Sequence, residues 1–253
     1  MLIDTHCHLD AAEFDADRDA VYAAALAAGV GRIVVPGVTV NRNFRPKSKI
    51  ADYPACLEAY GIHPLYVDQS SPDDLSRLRD WLQQAPPVAV GEIGLDFYVD
   101  GIDSERQTDF FVAQLRLARD FDLPVLLHIR RAVDPVLKQL RRIGVRGGIA
   151  HAFNGSRQQA DEFIKLGFAL GFGGAITFSG STRIRELART LPLESIVLET
   201  DAPDIPPAWL NGGRNAPAEL PRIAAVLADL RGLTVAEVSA ASATNARRVL
   251  PGI

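Results

Sequence analysis

The chain has 253 residues, 47% hydrophobic and 23% charged, the balance of an ordinary globular protein long enough to bury a sizeable core. A formal net charge of −4 excludes a broad cationic groove for duplex nucleic acid, though not a nucleic acid gripped locally at one strand end. Two cysteines are too few for a disulfide framework, the N-terminal MLIDTHCHLD has no leader character, and no run of about 18 apolar residues exists, so a soluble cytoplasmic protein without a membrane span is expected.

Short apolar, β-branched runs recur along the chain, at residues 2–5, 32–36, 57–62, 88–92, 124–128, 147–151, 168–171 and 195–200. Most are continuously apolar rather than alternating, as parallel strands buried on both faces require. Helix signals lie between them. The second connection reads poorly, because Pro46 interrupts residues 41–52 and predicts a short or displaced helix. Ser71-Pro72-Asp73-Asp74 offers an N-cap, a first-turn proline and early acids. Ser104 with Gln107, Ser156 with Gln159 and Thr234 with Glu237 read as capping boxes, the last opening a helix towards Leu250. Phe110, Leu117 and Phe121 share one face of the helix after residue 104.

Eight strands alternating with helices predict a closed (β/α)8 TIM-type barrel forming one domain over residues 1–253. A doubly wound sheet would more often have about five to seven strands. Residues 201–217, rich in Pro, Gly and Asn, follow the last strand and are expected as a loop over the barrel mouth.

All five histidines fall at or just past the end of an expected strand: His6 and His8 after the first, His63 after the third, His128 on the fifth and His151 on the sixth. Barrel strands deliver their C-terminal ends to one rim, where distant residues converge. Glu92 and Asp201 occupy equivalent places, and an acid ending an apolar run is costly unless a cation sits against it. His6 and His8, two apart on an extended segment, point to the same side, leaving Cys7 to pack against the wall. Each residue alone has an ordinary explanation as a core histidine, a cap or a turn acid. Six such residues at strand ends do not.

Four histidines and two carboxylates exceed the needs of one catalytic ion. They suffice for two divalent ions about 3.5–4 Å apart if one carboxylate bridges, a role that falls to the mid-chain Glu92. Mg, Mn and Zn all suit such donors. His63 exceeds the ligand count and is assigned to the substrate. Arg130, two past His128, faces either the cavity, where its fork would hold an anionic group, or solvent. Gly212-Gly213-Arg214-Asn215 reads as a substrate loop or a plain turn.

The blocks Asp4-Thr5-His6-Cys7-His8-Leu9-Asp10, Gly61-Ile62-His63-Pro64, Val90-Gly91-Glu92-Ile93-Gly94-Leu95-Asp96, His128-Ile129-Arg130, His151-Ala152-Phe153-Asn154-Gly155 and Glu199-Thr200-Asp201-Ala202-Pro203 resemble the TatD-type deoxyribonucleases of the amidohydrolase superfamily. The resemblance covers nearly the whole chain with its blocks in order. It implies that His6, His8 and Asp201 hold one metal and that Glu92 bridges to a second held by His128 and His151. It also implies that His63 meets the substrate and that Arg214-Asn215 belongs to the mouth. Ala152 stands where many relatives carry Cys, which is not a ligand position.

The expected activity is metal-dependent phosphodiester hydrolysis of DNA, from single-stranded or frayed ends, with Glu92 and Asp201 as the working carboxylates. No obligate protein partner is evident. The rival within enzymes is hydrolysis of a small amide, lactone or phosphotriester; the rival outside them is a metal- or nucleic-acid-binding protein.

Overall fold

The computed structural model describes residues 1–40 and 49–253. Eight strands form one parallel sheet in chain order: β1 (Leu2–Asp4), β2 (Val30–Pro36), β3 (Cys56–Tyr60), β4 (Ala89–Asp96), β5 (Val125–Arg130), β6 (Gly148–Ala150), β7 (Phe168–Phe172) and β8 (Ile196–Leu198). The sheet returns on itself. Thr5 N–H donates to Leu198 O at 3.2 Å and Asp201 N–H to His6 O at 2.8 Å, joining β8 to β1. This is the TIM-type barrel that the alternating pattern predicts.

Helices α1 (Arg18–Ala27), α2 (Pro72–Gln84), α3 (Ser104–Asp120), α4 (Val133–Ile143), α5 (Arg157–Lys165), α6 (Thr182–Thr190), α7 (Leu220–Arg231) and α8 (Val235–Val249) surround it. The expected helix over residues 41–52 falls largely on residues 41–48, outside the described residues; the rest forms turns. Capping boxes open α2, α5 and α8. The one expected at Ser104 is absent. Asp103 caps α3 instead, accepting from Glu105 and Arg106 N–H groups, and Gln107 turns inward to bond both backbone groups of Asp96.

Alternate strand residues face opposite ways, and each strand sends one side chain to a common inner layer: Ile3, Val34, Ala59, Ala89, Leu126, Ile149, Ala169 and Val197. Ala243, Ala246 and Val249 of α8 pack on this layer. The interior is therefore a filled core, and open space is left at the C-terminal ends of the strands. A cavity of about 980 Å³ lies there.

Candidate metal centre

His6 and His8 follow β1, His151 follows β6 and Asp201 follows β8, whereas Glu92 and His128 lie within β4 and β5 rather than at their ends. Five of them line the cavity, and His6 lies fully buried against Glu92. The residues after β6 and β8 turn sharply to bring them there, with Ala152 and Asp201 in the left-handed region at φ 43° and 59°.

Glu92 is the hub. Its Oε2 lies 3.1 Å from His6 Nε2 and 3.5 Å from His8 Nε2. Its Oε1 lies 2.9 Å from His128 Nδ1 and 3.6 Å from His151 Nε2. Asp201 Oδ1 completes the first set, 3.6 Å from Nε2 of both His6 and His8. Ligand atoms held tetrahedrally at about 2.0–2.1 Å from an ion stand about 3.3 Å apart. The donors here have that spacing, and most are too far apart to hydrogen-bond each other well. Donors of this kind at this spacing fit metal ligation.

Two carboxylates behind the site choose which imidazole nitrogen is free. Asp96 Oδ2 faces His128 Nε2 at 2.9 Å, and Glu199 Oε1 faces His151 Nδ1 at 3.2 Å. Each accepts the N–H of that nitrogen, which turns the other nitrogen towards Glu92 and leaves it the one a metal would take. Asp96 Oδ1 also accepts from Tyr98 and Val99 N–H. Burial opposes the Asp96 charge, but the His128 hydrogen bond and the Tyr98 N–H outweigh it and hold the pKa at about 2. The sequence signal for both carboxylates is their spacing from the expected ligands: Asp96 is four residues past Glu92, and Glu199 two before Asp201.

The electrostatics match a site built for cations. Burial and the neighbouring His151 push His6 down to about 3, so its ring is neutral. Burial also opposes a proton on His151, but the carboxylates of Asp201, Glu199 and Glu92 prevail and lift it to about 10. His8 rises to about 9 against its burial because Glu92 and Asp201 face it. Burial raises Asp201 to about 6 despite His151 and His8. His6 and His151 stack at 3.8 Å between ring centroids.

His63 reaches the second set as well, with Nε2 at 3.1 Å from His128 Nδ1 and 3.6 Å from Glu92 Oε1. Its Nδ1 accepts from Leu65 N–H at 3.2 Å, which puts the ring proton on Nε2. His63 thus offers the cavity a donor rather than a lone pair. Arg130 lines the cavity and lies against Tyr98. Arg214 and Asn215 do not line it. Arg214 forms a bidentate pair with Asp17 at 2.9 and 2.6 Å. Asn215 is fully buried and donates to the carbonyls of Thr200, Asp204 and Ile205, pinning the loop after β8.

A parallel eight-stranded barrel with imidazole and carboxylate donors gathered at its C-terminal rim defines a metal-dependent hydrolase. A family model described as TatD related DNase matches residues 3–251, and the chain belongs to that family. It is 40% identical over 246 residues to the uncharacterized metal-dependent hydrolase YjjV of Escherichia coli K12, covering 96% of this chain and 95% of that protein. The crystal structure of YjjV superposes with a TM-score of 0.94, covering 99% of this chain and 98% of the other. A 3′-5′ ssDNA/RNA exonuclease, TatD of Escherichia fergusonii, is 31% identical over 258 residues, covering 97% of each chain.

Proposed function

We propose that the protein cleaves phosphodiester bonds of DNA stepwise from a single-stranded or frayed end, with two divalent ions (Mg, Mn or Zn) per chain. The observation that carries this reading is Glu92, whose two oxygens face separate donor sets, His6 and His8 on one side and His128 and His151 on the other. Such an arrangement suits a substrate that must be clamped at both its attacked and its leaving oxygens. The exonuclease name of the Escherichia fergusonii relative points to the same substrate class.

When bound, the ions supply positive charge against the phosphate and lower the pKa of water from about 15.7 towards about 7. The remaining work falls to side chains. Asp201, whose carboxylate faces the first donor set, accepts the proton of the attacking water. The water oxygen bonds to phosphorus as the ester P–O bond to the leaving oxygen breaks, and that oxygen takes a proton from solvent. His63 Nε2–H donates to a phosphate oxygen, and its ring stays neutral because burial lowers its pKa. Asp96 and Glu199 keep His128 and His151 in the required tautomers.

The test is release of mononucleotides from end-labelled single-stranded DNA by metal-loaded protein, run beside a small amide, a lactone and a phosphotriester. Turnover of one of those, with no mononucleotide released, overturns the reading. Asp201→Asn should lower turnover at least about 10²-fold with an unchanged circular dichroism spectrum.

A further inference from the structure

One wall of the cavity carries ring surface and charge that the metal donors do not use. Tyr98 lies just past β4, Arg130 ends β5 and Arg131 follows it, and all three line the cavity. The guanidinium carbons of Arg130 and Arg131 lie 3.8 and 4.5 Å from the Tyr98 ring centroid. Successive residues of a strand point opposite ways. Arg131 leaves that alternation at φ 53°, in the left-handed region, and so shares a ring with its neighbour.

Two guanidinium groups converging on one ring repel each other. Among the described residues neither meets a carboxylate, whereas Arg214 is matched by Asp17 and Arg183 is held by Asn154. An anion with several acceptor oxygens, as a phosphate is, would neutralise both. Tyr98 as a residue remains 46% exposed at the cavity, so part of its side chain is open to a ligand beside the two guanidinium groups. Phosphate-gripping cations beside an exposed aromatic ring are the pairing that holds single-stranded nucleic acid. The wall is also tied to the metal donors. Tyr98 N–H donates to Asp96 Oδ1 at 2.9 Å, and Oδ2 of that carboxylate faces His128 at 2.9 Å.

We propose that Tyr98, Arg130 and Arg131 form a subsite for the nucleotide next to the scissile phosphodiester, its base on the ring and its phosphate on the two guanidinium groups. The subsite rests on the nuclease reading and goes beyond it by giving the bound strand a direction across the rim, from Glu92 over β4 and β5. Its test separates binding from cleavage. The probe is fluorescein-labelled tetrathymidylate, read by anisotropy at low salt with the protein in EDTA so that nothing is cut.

Tyr98→Ala is expected to weaken binding about tenfold, within the range of one lost base stack, while Tyr98→Phe retains it. The double variant Arg130→Gln/Arg131→Gln should flatten the slope of log Kd against log salt by about 0.7 for the phosphate no longer neutralised. Equal binding by wild type and Tyr98→Ala, or no binding by chelated wild type, overturns the subsite. If these differences hold and the loaded wild type still releases no mononucleotide, the cleavage reading falls, and with it the place beside a scissile bond, while the wall stands as a single-strand binding site.

Discussion

The two oxygens of Asp96 have separate tasks, and an amide cannot perform both. Oδ1 accepts from Tyr98 and Val99 N–H, so in Asp96→Asn the amide oxygen must stay there and the NH2 group must face His128 Nε2. The His128 proton then moves to Nδ1, the nitrogen that faces Glu92. Metal affinity is expected to fall about 10–100-fold, read by titration calorimetry with Mn or Zn, and an unchanged affinity would show that Asp96 does not orient the ring. A second expectation concerns protons. His8 at about 9 and His151 at about 10 lie above the ordinary 6.5. Their protonation therefore stabilises the metal-free protein fully below pH 6.5, and that contribution is lost as pH rises through 9 to 10. Ion binding expels the same protons, so affinity should climb with pH through the neutral range, releasing about two protons per chain near pH 7. Calorimetry in buffers of different ionisation enthalpy counts them, and a count of zero rejects the assignment. The histidines were legible in the sequence because an imidazole ending an apolar run is conspicuous. The destination of Arg214 was not, because its partner Asp17 lies 197 residues away and only the folded chain brings them together.

At the scale of elements, the strands could be found because a doubly buried strand is a continuous apolar run, but their ends could not. β4 extends four residues beyond Glu92, through Gly94, which reads locally as a break. The glycine is required by its neighbour strand: a Cβ there would stand 1.9 Å from His128 O. The start of α3 departs from the expected capping box for a similar reason, since Gln107 is spent on Asp96. Gly171 in β7 has the most direct bearing on function. A Cβ at that position would stand 2.1 Å from Glu199 Oε2, and this carboxylate is fixed by bonds to Ala152 N–H at 2.6 Å and His151 Nδ1 at 3.2 Å. The strand backbone is held in the sheet, so the carboxylate must yield. Gly171→Ala is expected to cost about 1–3 kcal/mol of stability. It should also weaken metal binding, because His151 loses the group that selects its tautomer. Thermal unfolding and metal titration of one preparation test both parts; a destabilised variant with wild-type affinity would separate Glu199 from the metal site.

For the molecule as a whole, the count of eight strands pointed to a closed barrel, but no periodicity in the sequence reveals how β8 finds β1. The closure depends on Asp4. Its Oδ1 accepts from Thr200 N–H at 2.9 Å and His6 N–H at 3.3 Å, and its Oδ2 from the Thr200 hydroxyl at 2.6 Å. The seam therefore joins the stretch carrying His6 and His8 to the stretch carrying Asp201, and the first donor set exists only where the barrel is shut. Removing the acceptor strands three buried donors, each worth about 1–3 kcal/mol when left unsatisfied. Asp4→Ala should thus lose several kcal/mol in denaturant unfolding, together with a marked loss of metal affinity. Asp4→Asn should be far milder. Burial lifts Asp4 to about 7, so its charge is already marginal. The amide oxygen can keep both backbone donors, and its NH2 can donate to the Thr200 hydroxyl. If Asp4→Ala lost stability yet bound metal as wild type does, the seam would close the barrel without placing its ligands. If Asp4→Asn proved as damaging as Asp4→Ala, the carboxylate charge itself, and not its acceptor geometry, would be what joins β8 to β1.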